Sequence, residues 1–94
     1  MEDAIVHLVQ TSPSASSAYR DCLRVCHAND HIVLMHDAVY AGQGPSGAAM
    51  NLYALRDEVA ERGLIERMHA SVKLIDYSEL VELCAQHRHT QSWF

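Results

Sequence analysis

The sequence predicts a small α/β domain of three layers, Rossmann-like or flavodoxin-like, with a mostly parallel sheet of four to five strands and flanking helices. Three observations lead there. Short apolar runs rich in β-branched residues recur along the chain, each is followed by a segment with helical spacing, and the alternation fills all 94 residues as one domain, 1–94.

The first run, Ala4–Val9, is stopped by Thr11-Ser12-Pro13, as expected for a strand covered on both faces. From Ser14 the period changes. Ala15, Ala18, Tyr19, Cys22, Leu23 and Cys26 fall on one helical face, and Ser16, Ser17, Arg20, Asp21 and Arg24 on the other. Either Ser12 or Ser14 can cap this helix. A strand followed at once by a helix implies a crossover to a parallel strand.

After the turn Ala28-Asn29-Asp30, His31–His36 reads as a second buried strand, and Ala38–Ala41 as one helical turn. Gly42–Gly47 is a loop by composition. Asn51–Leu55 is a third strand and Arg56–Arg62 a helix of about two turns, with Gly63 placed for a left-handed C-cap. Val72–Ile75 is the fourth strand and Asp76 ends it. Tyr77–His87 is the clearest helix, and the tail RHTQSWF adds a short last strand.

Charge and cysteine content narrow the function. A net charge of −5 with scattered lysines and arginines disfavours nucleic-acid binding, which needs a basic stripe against phosphates. No window approaches the roughly 18 apolar residues of a membrane span, and the acidic start MEDA is unlike a signal peptide, so a cytoplasmic protein with no membrane partner is expected. Three cysteines without framework spacing are expected to be free thiols. A domain this small often completes its burial against a partner.

Several motifs invite chemistry and are weaker on inspection. Gly42, Gly44 and Gly47 match G-x-G-x-x-G, but only Ala48-Ala49-Met50 separate them from the next strand, leaving no helix N-terminus for a pyrophosphate. Cys22, Cys26, His27, His31 and His36 are zinc-type ligands, yet no second close pair completes a tetrahedron, so no metal and no cofactor are expected. Asp37 and Asp76 follow strands at the carboxyl edge. A phosphoacceptor aspartate of a receiver-like signalling domain would sit there, but it needs clustered acids and a nearby lysine, and Lys73 lies inside a strand. Capping the next helix is the expected job of both aspartates. Cys22, mid-stripe and about 12 Å along the axis from a cap at Ser14, reads as a small core hydrophobe. Arg20 and Arg24 project to the opposite face and do not activate its thiol.

Taken in order, the pieces resemble the DsrH/TusB family of sulfur-relay subunits almost end to end. They are His7 with Ser12-Pro13, Cys22-Leu23-Arg24, Asp30, and Asp37-Ala38-Val39-Tyr40-Ala41, followed by Leu52-Tyr53-Ala54-Leu55, Arg62-Gly63-Leu64, Leu74-Ile75-Asp76-Tyr77, His87 and Ser92-Trp93. The resemblance implies a subunit that joins TusC/DsrF-like and TusD/DsrE-like paralogues in a dimer of heterotrimers. Such assemblies pass sulfur as a cysteine persulfide to a TusE/DsrC-like acceptor. In the Tus branch the sulfur ends as 2-thiouridine at the tRNA wobble position; in the Dsr branch it feeds dissimilatory sulfur oxidation.

Cys22 falls on the position of the cysteine of DsrH-type members, which makes it the candidate persulfide carrier. Some TusB-type members lack a cysteine there, and their acceptor thiol belongs to the TusD-like partner. The chain departs from the pattern at Ala38, where many members have glycine, and in a shortened segment around Gly42–Gly47. A carrier role requires a thiolate, so it carries the expectation that the Cys22 face lies against a partner subunit supplying the activating charge. The alternative is a purely structural subunit with Cys22 packed.

Overall fold

The computed structural model describes residues 4–44 and 51–94. Five parallel strands, β1 (Ile5–Val9), β2 (His31–Leu34), β3 (Leu52–Leu55), β4 (Lys73–Ile75) and β5 (His89–Trp93), form one sheet in the order β4-β3-β2-β1-β5. The helices are α1 (Ala18–Val25), α2 (Arg56–Glu61) and α3 (Tyr77–Ala85), with 3₁₀ segments at His36–Gln43 and Ile65–Arg67.

Alternation along the strands sends side chains to two cores. On one face Val9, Ile32, Leu34, Leu52 and Ala54 pack with Ala18 and Cys22 of α1, Val39 of the first 3₁₀ segment and Val59 of α2. On the other, Val6, Val33, Leu55 and Ile75 pack against Leu80 of α3. Helices on both faces give the three layers expected, and burial of each such side chain contributes about 1.5–3 kcal/mol.

Differences from expectation have local causes. The helix expected from Ser14 starts at Ala18, and neither Ser12 nor Ser14 caps it. The amides of Ala15 and Ser16 donate to the Ser12 carbonyl at 3.0 and 3.2 Å, and the Ser14 amide donates to Ser12 Oγ at 3.3 Å. Serine hydroxyls that bond the nearby backbone compete with the helix, so this serine-rich stretch is spent on turns. Ser17 occupies the cap position but donates its hydroxyl to Asp21 at 2.7 Å. Cys22 therefore lies about 7.5 Å along the axis from the cap position at Ser17, not about 12 Å.

The second strand ends at Leu34 because His36 adopts φ = 50°, a left-handed conformation that breaks the ladder and opens the 3₁₀ segment. That segment runs from His36 to Gln43, longer than the single turn expected at Ala38–Ala41. Gly42 is buried there, and a Cβ on it would meet the end of the flexible Met68 side chain, which would have to shift. The rest of the glycine motif, from Pro45 to Gly47, lies outside the described residues. Gly63 has the expected positive φ, 67°.

Asp76 caps α3 as expected. Its Oδ1 accepts from the Glu79 amide at 2.7 Å, and Glu79 Oε1 accepts from the Asp76 amide at 3.1 Å. Asp76→Ala should lower stability by about 1 kcal/mol, read as a shift of the urea midpoint at constant slope. Asp37 does not cap: its Oδ1 accepts from Arg62 Nε at 3.0 Å and Nη2 at 2.9 Å, tying the turn after β2 to α2.

Candidate functional site

The face of the sheet beneath α1 gathers the polar groups most remote from water. His7, in the middle of an otherwise apolar strand, is 3 % exposed, and so is Asp30, just before β2. The His7 Nε2–H donates to Asp30 Oδ2 at 2.8 Å, and the indole N–H of Trp93 donates to His7 Nδ1 at 3.1 Å. Indole only donates, so His7 Nδ1 accepts and its proton sits on Nε2, facing the carboxylate. The Asp30 carboxylate also receives the amides of Ile5 and His27, each at 3.0 Å. Burial pushes the Asp30 carboxyl up, but the bonds from His27, His7 and Ile5 outweigh it and hold it below the usual carboxylate range. The network joins β1, the turn before β2 and the last strand.

Cys22 sits on the same side, at 0 % exposure, in the core that α1 forms with the sheet. Burial pushes its thiol up to about 12, and the nearby Cys26 and Asp30 push the same way. Cys26, half-buried, is also raised, by burial and by Asp30, against a lowering backbone bond. Tyr19, Cys22 and Cys26 share one stripe of α1, at spacings of three and four. The Tyr19 hydroxyl is buried with no hydrogen-bond partner, and its pKa is raised by burial and by the two thiols.

This arrangement favours thiol over thiolate. Each cause acting on Cys22 penalises negative charge, and both nitrogens of the His7 imidazole are engaged by Asp30 and Trp93. The Cys22 face is covered by the chain's own strands, which corrects the expectation that a partner subunit covers it.

The other singled-out residues lie elsewhere. His31 is under α3, on the face away from Cys22, with its Nδ1 2.9 Å from the Tyr53 hydroxyl and its ring 4.6 Å from that of His87. His36 Nδ1 is 2.9 Å from Glu58 Oε2. Among the described residues no three His, Cys, Asp or Glu side chains come together as metal ligands. The partner of Asp37 is Arg62 rather than Lys73, which is exposed on β4. A cleft of about 180 Å³ beside α3, lined by Tyr53, Ile75, Glu79, Glu82, Leu83 and Gln86, contains no thiol.

Burial lowers the His31 pKa, as do the charges of His87 and Lys73, while Asp30 opposes them. A histidine depressed in the folded state adds stability above its unfolded value and loses it as pH falls below about 6.5. Melting at pH near 7.5 and near 5.5 should therefore show a smaller acid-side loss for His31→Phe than for the unsubstituted chain.

Sequence periodicity indicated the burial of Cys22 but missed the His7–Asp30–Trp93 network, although one signal was present. A histidine inside a strand buried on both faces must find a partner.

With this geometry in place, comparison with known proteins is decisive for the lineage. A profile described as "DsrH like protein" matches residues 11–90. The chain belongs to the DsrH-like family. A protein called TusB from Serratia proteamaculans is 36% identical to it over 78 residues, which is 76% of this chain and 82% of that protein. A TusB from Pectobacterium parmentieri is 30% identical over 96 residues, 95% of this chain and 100% of its own length. The crystal structure of the ychN protein from E. coli has the same fold, with a TM-score of 0.80 over 97% of this chain and 99% of that one, at 19% identity. Among the described residues of this DsrH-like chain, no helix is long and apolar enough to cross a membrane.

Proposed function

We propose that this chain is the TusB/DsrH-type subunit of a cytoplasmic sulfur relay. It assembles with TusC/DsrF-like and TusD/DsrE-like partners, and the sulfur passes on to a TusE/DsrC-like acceptor for 2-thiouridine formation in tRNA. The likeness to proteins called TusB over nearly the whole chain supports this branch. Within the assembly the chain acts as a structural subunit, and the persulfide is carried by a partner's cysteine. One observation carries that part: Cys22 is wholly buried in the chain's own core with its thiol raised to about 12. Attack on a sulfur donor needs a thiolate and access, and this thiol has neither.

A second reading, the DsrH-type one with Cys22 as carrier in sulfur oxidation, has one observation in its favour. The unpartnered Tyr19 hydroxyl near the thiols is a donor that an added sulfur could accept from. It requires α1 to move off the sheet. Cys22→Ala in the reconstituted complex separates the two. Sulfur transfer at the level of the unsubstituted complex supports the structural role, and its abolition with assembly intact supports the carrier.

A further inference from the structure

Two imidazoles meet where α3 gives way to β5. His31 opens β2 and is half-buried, with its Nδ1 2.9 Å from the Tyr53 hydroxyl. His87 lies in the junction between α3 and β5 and sets its ring edge-on against that of His31, with centroids 4.6 Å apart and planes at 62°. The Leu83 carbonyl, in the last turn of α3, accepts from His87 Nδ1 at 2.8 Å. A carbonyl only accepts, so Nδ1 holds a proton in either charge state and the ring takes up its second proton on Nε2. One side chain thus closes the end of α3 and joins it to β2.

This attachment counts because the segment is thinly held. Leu80 anchors α3 in the core, Leu83 and Cys84 are half-buried, and the remaining side chains of the helix are exposed. Beyond the junction, His89 to Ser92 of β5 are exposed, and the strand is fixed by its ladder to β1 and by the Trp93 indole on His7. Segments with few buried contacts open locally at low cost.

The groups around His31 are unequal in charge. On its face of the sheet β1 and β5 place uncharged Val6 and Thr90 in register with it, and Tyr53 reaches it from β3. His87 and Lys73 of β4 oppose a positive charge on His31, and Asp30 favours one. The Asp30 carboxylate, however, is taken up by His7 and by the amides of Ile5 and His27. From α3, Glu79 and Glu82 line the cleft that Tyr53 shares, and Cys84 packs into the core. Arg88 and His89 follow His87 along the junction. Two charged rings in direct contact repel each other.

We propose that His31 and His87 form an acid-sensitive latch, which holds the end of α3 and the entry to β5 on the sheet and parts when both rings are charged. Opening is confined to this C-terminal segment, while α1 and the strands β1 to β4 stay folded. The device is independent of the sulfur-relay role. Its sign follows from His31: a histidine depressed by burial stabilises the closed contact above the unfolded value of about 6.5, and that stabilisation is lost as pH falls through the depressed one.

The test is amide hydrogen exchange of the full chain, read residue by residue by NMR near pH 7.5 and near pH 5.5 and corrected for intrinsic rates. Protection of the Gln86 and His87 amides, which bond the Glu82 and Cys84 carbonyls, and of the β5 amides should fall about tenfold on the acid side. The Cys26 amide at the end of α1 should keep its protection. His31→Phe and His87→Phe keep an aromatic ring without its charge and should each remove the difference between the two conditions. If a phenylalanine variant fails to fold, glutamine at the same position takes its place. An equal fall in α1, α3 and β5 would reveal global acid unfolding and overturn the latch. A local fall that persists in both variants, or no fall at all in the unsubstituted chain, would overturn it as well.

Discussion

Asp30→Ala should destabilise the chain by about 3–5 kcal/mol, as removal of one member of a buried polar group does. Three donors, the buried His7 Nε2–H and the part-buried amides of Ile5 and His27, lose their acceptor together. Each unsatisfied donor costs about 1–3 kcal/mol, reduced where the site relaxes or admits water. A domain of this size has about 5–14 kcal/mol in total, and each kcal/mol moves its melting point by about 4–8 °C. The variant should thus melt about 12–40 °C lower. Asp30→Asn keeps the shape and one acceptor, so its loss should be smaller. The same carboxylate contributes acid sensitivity. Its folded pKa lies below the unfolded value of about 4, so its stabilisation is full above that value and is lost as pH falls through the folded one. Urea titrations at pH near 7 and near 3 should show this loss in the unsubstituted chain and a flatter profile in Asp30→Asn. A melting point unchanged in Asp30→Ala would contradict the network.

The second large effect concerns thiol reactivity. A thiol with pKa about 12 is ionised to about one part in ten thousand at pH 8, against about a quarter for an ordinary cysteine. Cys22 should therefore be alkylated by iodoacetamide at least about a thousandfold more slowly in the native chain than after unfolding, and its burial slows it further. Peptide mapping after a timed native reaction should find Cys22 unmodified while label accumulates first on half-buried Cys26 and Cys84. In denaturant all three should react alike. Native labelling of Cys22 at the rate of the other two would mean that α1 opens readily, and the packed role would fall.

These effects arise from different levels of legibility in the chain. Ala4–Val9 and His31–Leu34 were readable as buried strands because β-branched residues without polar alternation suit a sheet covered on both faces. The capping box of α3 is equally local, spelled by Asp76 and Glu79. The start of α1 was not readable, because Ser12 and Ser14 each offered a cap, whereas both bond within the turn and the helix starts only after Ser17. The end of β2 depended on the backbone angle of His36, which residue type does not dictate. The His7–Trp93 bond spans 86 positions and exists only because β5 returns to pair with β1. Cys22 illustrates both limits at once: helical spacing placed it on the apolar stripe, but whether the stripe met the chain's own sheet or a neighbour was a tertiary question.

Persulfide mapping tests the central claim most directly. The reconstituted complex is charged from a cysteine desulfurase, and each cysteine is examined by mass spectrometry for the gain of one sulfur atom. The prediction is a persulfide on a partner subunit's cysteine, with Cys22 unmodified. A persulfide on Cys22 in the assembled complex would contradict it and make this chain a carrier in the relay.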